Sequence, residues 1–340
     1  MFVNPPSRKW NARIARAVVL LIVCFCMASV GCTPTASDAG PQSAYSGQYP
    51  IRVTATVGMV ADIARGVTGS HAEVHQLLGS GVDPHLYKPT RDDVQAIFEG
   101  DVVLYNGLLL EGKMAETLER WGQTRPACAV GSFLKLPSDL VGANEHHPDP
   151  HVWMDVSLWS QAVQVVGDFF ARYDPPHAAD YAKGTQTMRA ELDSLHAYGQ
   201  SIMRDVPEGR RVLITSHDAF RYFGRAYGLE VQAIQGISTE SEAGLQRINE
   251  LVDLLVRQKI EAVFVESSVP RESIEALLEG ANARGHVVKI GGELYSDAMG
   301  NAGTYEGTYF GMMDHNLTTI AQALGSTSVP EKGFRGLAGR

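Results

Sequence analysis

Cysteine is scarce in this chain, four among 340 residues, and three of the four lie near the start at Cys24, Cys26 and Cys32. Cys24 and Cys26 fall in a segment expected to be removed. If Cys32 is modified as well, Cys128 is the one ordinary thiol left in the mature protein. That excludes an intramolecular disulfide framework, and the context PACAV reads Cys128 as a small buried residue. Basic charge is short too. The formal net charge is -9, and Arg8, Lys9, Arg13 and Arg16 stand in a leading segment without acidic residues, so the remainder is more acidic still. Backbone recognition of nucleic acid needs a basic face, which argues against such a partner. The apolar run Ala17–Val30 is shorter than the ~20 residues that span a bilayer. There is no GxSxG elbow, no Walker A loop and no GxGxxG fingerprint after a strand; GSGVDPH and KIGGEL carry glycines without the required continuation.

What is present reads as an ordinary globular protein, 44% apolar and 20% charged, long enough for two domains with a core each. Residues 1–32 have the form of a signal peptide: a basic start, the apolar run, then Gly31 and Cys32. The end of that run, SVGC, resembles a bacterial lipobox, with cleavage before Cys32 leaving a lipidated cysteine. Ser29 departs from it, standing where leucine is usual. A buried N-terminal helix is the alternative, disfavoured by the basic start and the small residues before Cys32. Residues 33–50, rich in Ser, Pro, Gly and Ala, are expected to be a flexible tether, and residues 325–340 a loose tail.

Between them, β-like runs alternate with helix-like ones. IRVTATV (51–57), EVHQLL (73–78) and DVVLYN (101–106) are strand candidates in the first half. RVLITS (211–216), LEVQAI (229–234), AVFVES (262–267) and HVVKIG (286–291) are those of the second, with helical segments such as 241–258 between. Short β-branched runs separated by helices predict α/β architecture with parallel sheets. Both halves read strand, turn, helix, strand, glycine, which points to two similar lobes, 51–175 and 207–324. Residues 176–206 lie between, with Tyr181, Met188, Leu192, Leu195 and Ile202 on a helical stripe. One helix of that length runs roughly 45 Å and could brace both lobes. Gly184 and Gly199 count against its being uninterrupted.

Four segments each carry a good metal ligand: DPH at His85, DPH at His151, TSHDAF at His217 and LYSDAMG at Asp297, at intervals of 66, 66 and 80 residues. Such intervals are too long for a zinc finger or an HExxH helix and place each ligand on a separate unit. Each is expected in a loop or at a strand's carboxyl end, two from each lobe, which permits convergence in one cleft. Three imidazoles and a carboxylate would close the coordination of a divalent transition metal. Taken singly, a loop histidine is more often structural than a ligand; the joint placement carries the case. His71 and His75 sit four apart in a strand-like segment and read as structural or solvated. His146 and His147 could feed metal to the site or be a solvated loop. Asp218 could compete for the metal, or cap the following helix. Glu266 and Asn106, at strand ends, are candidates to accept from a ligand N–H.

The runs TSHDAFRYFGRAYG, FVESSVP, HVVKIGGELYSDAMG and TYEGTYFGMMDHN, with GVDPHLYKPTRDD and DPHVWMD, resemble the TroA-type metal-binding lipoproteins over roughly residues 50–323. These are the substrate-binding components of bacterial zinc/manganese ABC importers. The resemblance implies two α/β lobes bridged by one long helix, one Zn²⁺ or Mn²⁺ per chain held between them by His85, His151, His217 and Asp297, and delivery to an ABC permease. It implies a monomer outside the cytoplasm, anchored through Cys32, and no enzymatic activity. Relatives devoted to zinc often carry a long His-rich loop, here shortened to NEHHPDPH. Those devoted to manganese often have Glu at the third position, here His217. More imidazole favours zinc and harder oxygen favours manganese. A hydrolytic metalloenzyme and an envelope adhesin with structural metal are the competing classes. The first needs an open coordination position and a general base.

Overall fold

The computed structural model describes Met1 and residues 44–138, 148–241, 244–331, 333 and 334. The leader, Cys32, most of the tether, His146, His147 and the end of the tail lie outside the described residues. The chain divides into Met1–Ala39, of which only Met1 is described, and Gly40–Arg340, which carries every element below.

The first half builds a parallel sheet from β1 (Ile51–Ala55), β2 (Ala72–Gln76), β3 (Val102–Tyr105) and β4 (Ala127–Ala129), in the order β2-β1-β3-β4. Val53 pairs with Val74 on one side and Val102 on the other, and β3 is buried along its whole length. Edge strand β2 alternates between half-buried and exposed residues. That contrast is what a parallel sheet covered by crossover helices produces. The helices are α1 (Gly58–Thr68), α2 (Arg91–Glu99) and α3 (Ala115–Gly122). Thr90 and Asp93 close a capping box at the start of α2, the Thr hydroxyl accepting from the Asp93 N–H and the Asp carboxylate from the Thr90 N–H.

The second half comprises β5 (Val212–Thr215), α6 (Arg221–Tyr227), β6 (Glu230–Ala233), α7 (Leu245–Gln258), β7 (Ala262–Glu266), α8 (Glu272–Ala283), β8 (Lys289–Leu294) and α9 (Tyr309–Ala323). Its strands form two parallel pairs, β5 with β6 and β7 with β8, and β5 lies beside β7. The last strand begins three residues later than HVVKIG predicts. His286 instead finishes the turn after α8, its N–H on the Ala281 carbonyl and its ring on the Ile260 carbonyl. Gly291, the last residue of that predicted run, is skipped in the β7–β8 register as a bulge against the Phe264 ring.

Joining the halves are α4 (Val156–Tyr173) and α5 (Ala178–Arg204), an antiparallel pair with a short turn at Pro175–His177. The 27-residue α5 is unbroken, and its glycines have a positive purpose. A Cβ at Gly184 would lie 2.5 Å from the Val67 carbonyl oxygen of α1; one at Gly199 would lie 2.8 Å from Leu317 of α9 and Tyr227 of α6. One glycine thus lets α5 approach the first half and the other the second. α4 is absent from the sequence-based expectations. Its polar residues Ser157, Gln161, Gln164, Asp168 and Arg172 recur along one side, opposite the buried Trp159, Val163, Val166, Phe169 and Phe170.

Both chain ends read as loose make defined contacts where described. Tyr45 donates its N–H to the Tyr173 carbonyl and Tyr49 its hydroxyl to Asp174. Asp205 accepts the N–H groups of Thr327 and Ser328. Among the described residues no helix is long and apolar enough to cross a membrane.

Candidate metal centre

His217 follows β5 directly, Asp297 lies in the loop after β8, His85 in the loop beyond β2, and His151 in the turn leading into α4. A carboxylate accepts the backbone N–H of each of the three histidines. Asp83 Oδ1 accepts the His85 N–H at 2.8 Å, and Asp149 Oδ1 accepts the His151 N–H at 3.0 Å. Glu266 Oε1, arriving on the neighbouring β7, accepts the His217 N–H at 2.8 Å. The four side chains converge, with one ligand atom from each within 4.8 Å of all the others. His85 is 3% exposed, Asp297 1%, His151 and His217 0%.

The orientation of the rings favours a cation. His151 Nδ1 pairs with Asp149 Oδ1 at 2.7 Å and His217 Nδ1 with Glu266 Oε2 at 2.5 Å. Each ring thereby turns its Nε2 inward, the arrangement that fixes a metal-binding histidine and strengthens it as a donor. His151 Nε2 lies 3.3 Å from that of His85 and 3.4 Å from that of His217. Asp297 Oδ1 is 3.3 Å from His151 Nε2, and Oδ2 is 3.2 Å from His217 Nε2 and 3.8 Å from His85 Nε2. A tetrahedron of donors ~2.05 Å from a zinc ion has edges of about 3.3 Å. Four of the separations, 3.2–3.4 Å, lie near that edge length, and the His85–Asp297 separation of 3.8 Å is longer. Both Asp297 oxygens are buried and, despite those distances, meet no donor with hydrogen-bond geometry. The lone pairs face a shared centre rather than one another. A buried carboxylate so placed is costly unless a cation meets it.

Protonation follows from the same packing. Burial opposes charge on His151, but Asp149 and Asp297 outweigh it and push its pKa up to about 9. Burial likewise opposes a charged His217, and Glu266 and Asp297 outweigh it, raising the group well above the usual imidazole range. Burial would raise Asp297, yet His217 and His151 hold it well below the usual carboxylate range. His85, with no carboxylate on its Nδ1 among the described residues, is lowered by burial.

The structure separates the supporting residues predicted from sequence. Glu266 does what was expected of it. Asn106 does not: its amide donates to the carbonyls of Pro150 and Gly107, holding the loop that carries His151 without touching the imidazole. The carboxylate on His151 is Asp149, which sequence reasoning passed over, although both DPH segments show an Asp two residues before the His. Asp218 turns away from the group, but it pairs with Arg221 at 2.7 Å rather than capping α6. His71 bonds Asp180 and stacks on His177, and His75 lies on β2, both outside the group.

Buried contacts tie the two halves beside the centre. Trp153 Nε1 donates to the Ser296 carbonyl at 2.9 Å, the Tyr222 hydroxyl to the Asp149 carbonyl at 3.0 Å, and the Tyr309 hydroxyl to the Trp153 carbonyl at 2.7 Å. Glu111, also unpredicted, is a buried carboxylate that accepts from the Thr56 hydroxyl and the N–H groups of Asn106 and Gly107. It stabilises the left-handed run Gly107, Leu108, Leu109.

Fold and site together define a class: two α/β halves on a long shared helix, with a buried set of metal-type donors drawn from both. The chain belongs to the ZnuA family, zinc-uptake complex component A periplasmic, whose model matches residues 53–323. It is 44% identical over 305 residues to the manganese-binding lipoprotein MntA of Bacillus subtilis (strain 168), covering 89% of this chain and 98% of that protein. The manganese ABC transporter substrate-binding lipoprotein PsaA of Streptococcus mitis is 29% identical over 297 residues, covering 85% of this chain and 94% of that protein. Among solved structures, the periplasmic zinc binding protein TroA from Treponema pallidum superposes with a TM-score of 0.78 at 44% identity, covering 80% of this chain and 98% of that one.

Proposed function

We propose that this protein captures one Zn²⁺ or Mn²⁺ ion outside the cytoplasm and passes it to the permease of an ABC-type metal importer. The observation that carries this reading is the Asp297 carboxylate, buried, without a hydrogen bond among the described residues, and 3.2–3.8 Å from three Nε2 atoms that converge on it. We assign His85, His151, His217 and Asp297 as the ligands, two from each half. The metal is cargo. With four protein donors around it, little room remains for the open position that hydrolysis needs, so the reading includes no enzymatic activity. Three imidazoles favour zinc, and the Irving–Williams order places it above manganese at such a site. The two relatives named for manganese keep that ion open as physiological cargo.

The rest of the molecule is read accordingly. Residues 1–32 direct export, Cys32 carries lipid, and 33–50 is the tether from the membrane. Residues 51–175 and 207–324 are the lobes on the bridging segment 176–206, with 325–340 as a tail. The protein acts as a monomer. Elemental analysis of purified protein, followed by competitive titration with Zn²⁺ and Mn²⁺, tests the central claim. About one equivalent of a first-row metal is expected, and its absence would sink the reading.

A further inference from the structure

The ties between the halves differ in kind on the two sides of the centre. On one side Trp153, Tyr222 and Tyr309, each fully buried, bind the segments of His151 and Asp297 to the opposite half. Around His85 the cross-connections are polar and more accessible. Asp83, whose Oδ1 holds the His85 N–H, accepts the Thr239 hydroxyl on Oδ2 at 2.5 Å. Lys113, one residue after the Gly112 that abuts the His85 carbonyl, pairs with Glu240 at 2.6 Å. Thr239 and Glu240 belong to the segment after β6, which is bonded to the residues flanking His217: Gln235 donates to the Ser216 carbonyl, and Asp218 to that of Gly236. The same short segment thus links the neighbourhood of one ligand to that of another across the two halves.

We infer that Asp83, Thr239 and the Lys113–Glu240 pair form a latch that sets how fast bound metal leaves past His85. The inference rests on the metal-binding reading above. His85 is the ligand that can yield. Among the described residues no carboxylate meets its Nδ1, and its Nε2 lies farther from Asp297 than those of His151 and His217, at 3.8 Å. Opening the Asp83–Thr239 bond frees Asp83, the residue that positions the His85 backbone, while the aromatic ties on the far side stay closed. An exposed ion pair contributes little in salt. Thr239, buried and bonded to a carboxylate, should therefore carry most of the effect.

The test is stopped-flow release of Zn²⁺ from the loaded full-length protein into excess chromophoric chelator. A hydrogen bond to a charged group suggests that Thr239→Val releases metal about tenfold faster, with the association rate changing less. Thr239→Ser should restore slow release, and the doubly substituted Lys113→Gln/Glu240→Gln protein should release modestly faster. The Co²⁺ absorption spectrum of each should match wild type, because no ligand is altered. Unchanged release in a protein carrying all three substitutions overturns the latch, as does failure of Thr239→Ser to restore it. A changed Co²⁺ spectrum overturns it too, since the effect would then lie in coordination. Wild type that takes up no metal overturns the metal-binding reading itself, whereas normal uptake with unaltered release overturns the latch alone.

Discussion

Replacing Asp297 by alanine removes the one anionic donor from among three imidazoles and leaves two of them raised by carboxylates at their backs. Stoichiometric Zn²⁺ binding in a competitive titration should be lost, and His217→Ala should behave alike. Glu266→Gln is the subtler change. It keeps the hydrogen bond to the His217 N–H but weakens the imidazole as a donor, so affinity should fall about 10- to 100-fold while stoichiometry holds. Asp149→Asn should act similarly through His151. The four converging residues could be singled out in the sequence because each sits in a distinctive segment. The partners on Nδ1 were half legible. Glu266 stood at a strand end like His217, but nothing in the chain order says that β7 lies beside β5. Asp149 was in plain view in DPH, where only folding the turn onto itself brings carboxylate and ring together.

At the scale of elements, α5 shows packing overruling propensity. In an exposed helix, glycine to alanine stabilises by roughly 1 kcal/mol. At Gly184 the added Cβ would stand 2.5 Å from a backbone oxygen that cannot move alone. Gly184→Ala should therefore destabilise, by about 1–3 kcal/mol, lowering the melting temperature roughly 2–4 °C per kcal/mol for a chain of this size. A thermal melt of the metal-free protein reads the sign directly. The helix was legible from its stripe, but its continuity was not, since glycine's cost is local and its benefit lies in a neighbour distant in sequence. α4 carries a stripe of its own, Ser157, Gln161, Gln164, Asp168 and Arg172 standing opposite its buried face. β8 starts late because His286 completes the turn after α8, and it continues past Gly291 because a bulge against Phe264 accommodates the Gly-Gly pair.

For the molecule as a whole, a ligand held by both halves in the folded state and by neither in the unfolded one must stabilise the fold. Metal at 100 times its dissociation constant should contribute about 2.7 kcal/mol. The melting temperature should rise with metal concentration and fall on adding EDTA. Acidity makes a signed prediction. In the metal-free protein the His151 pKa lies at about 9, above the unfolded imidazole value of about 6.5. The stability this contributes is fully present below that unfolded value and is lost as pH rises through about 9. Metal must displace the same protons, so its affinity rises across that window. The gap in melting temperature between metal-loaded and EDTA-treated protein should widen from pH 6.5 to 9. A gap that narrows would contradict the site's electrostatics.

Residue types and local order alone determined that parallel α/β halves flank a long helix and that three histidines and an aspartate stand in separate segments. These features depend on side-chain alternation, periodicity and turn chemistry, which act over a few residues. What only the tertiary structure decided is the distance among the donors, which imidazole has a carboxylate behind it, and where the halves are tied by buried rings or by an accessible polar contact. Those depend on which surfaces pack together, and packing joins residues that the chain keeps scores of positions apart.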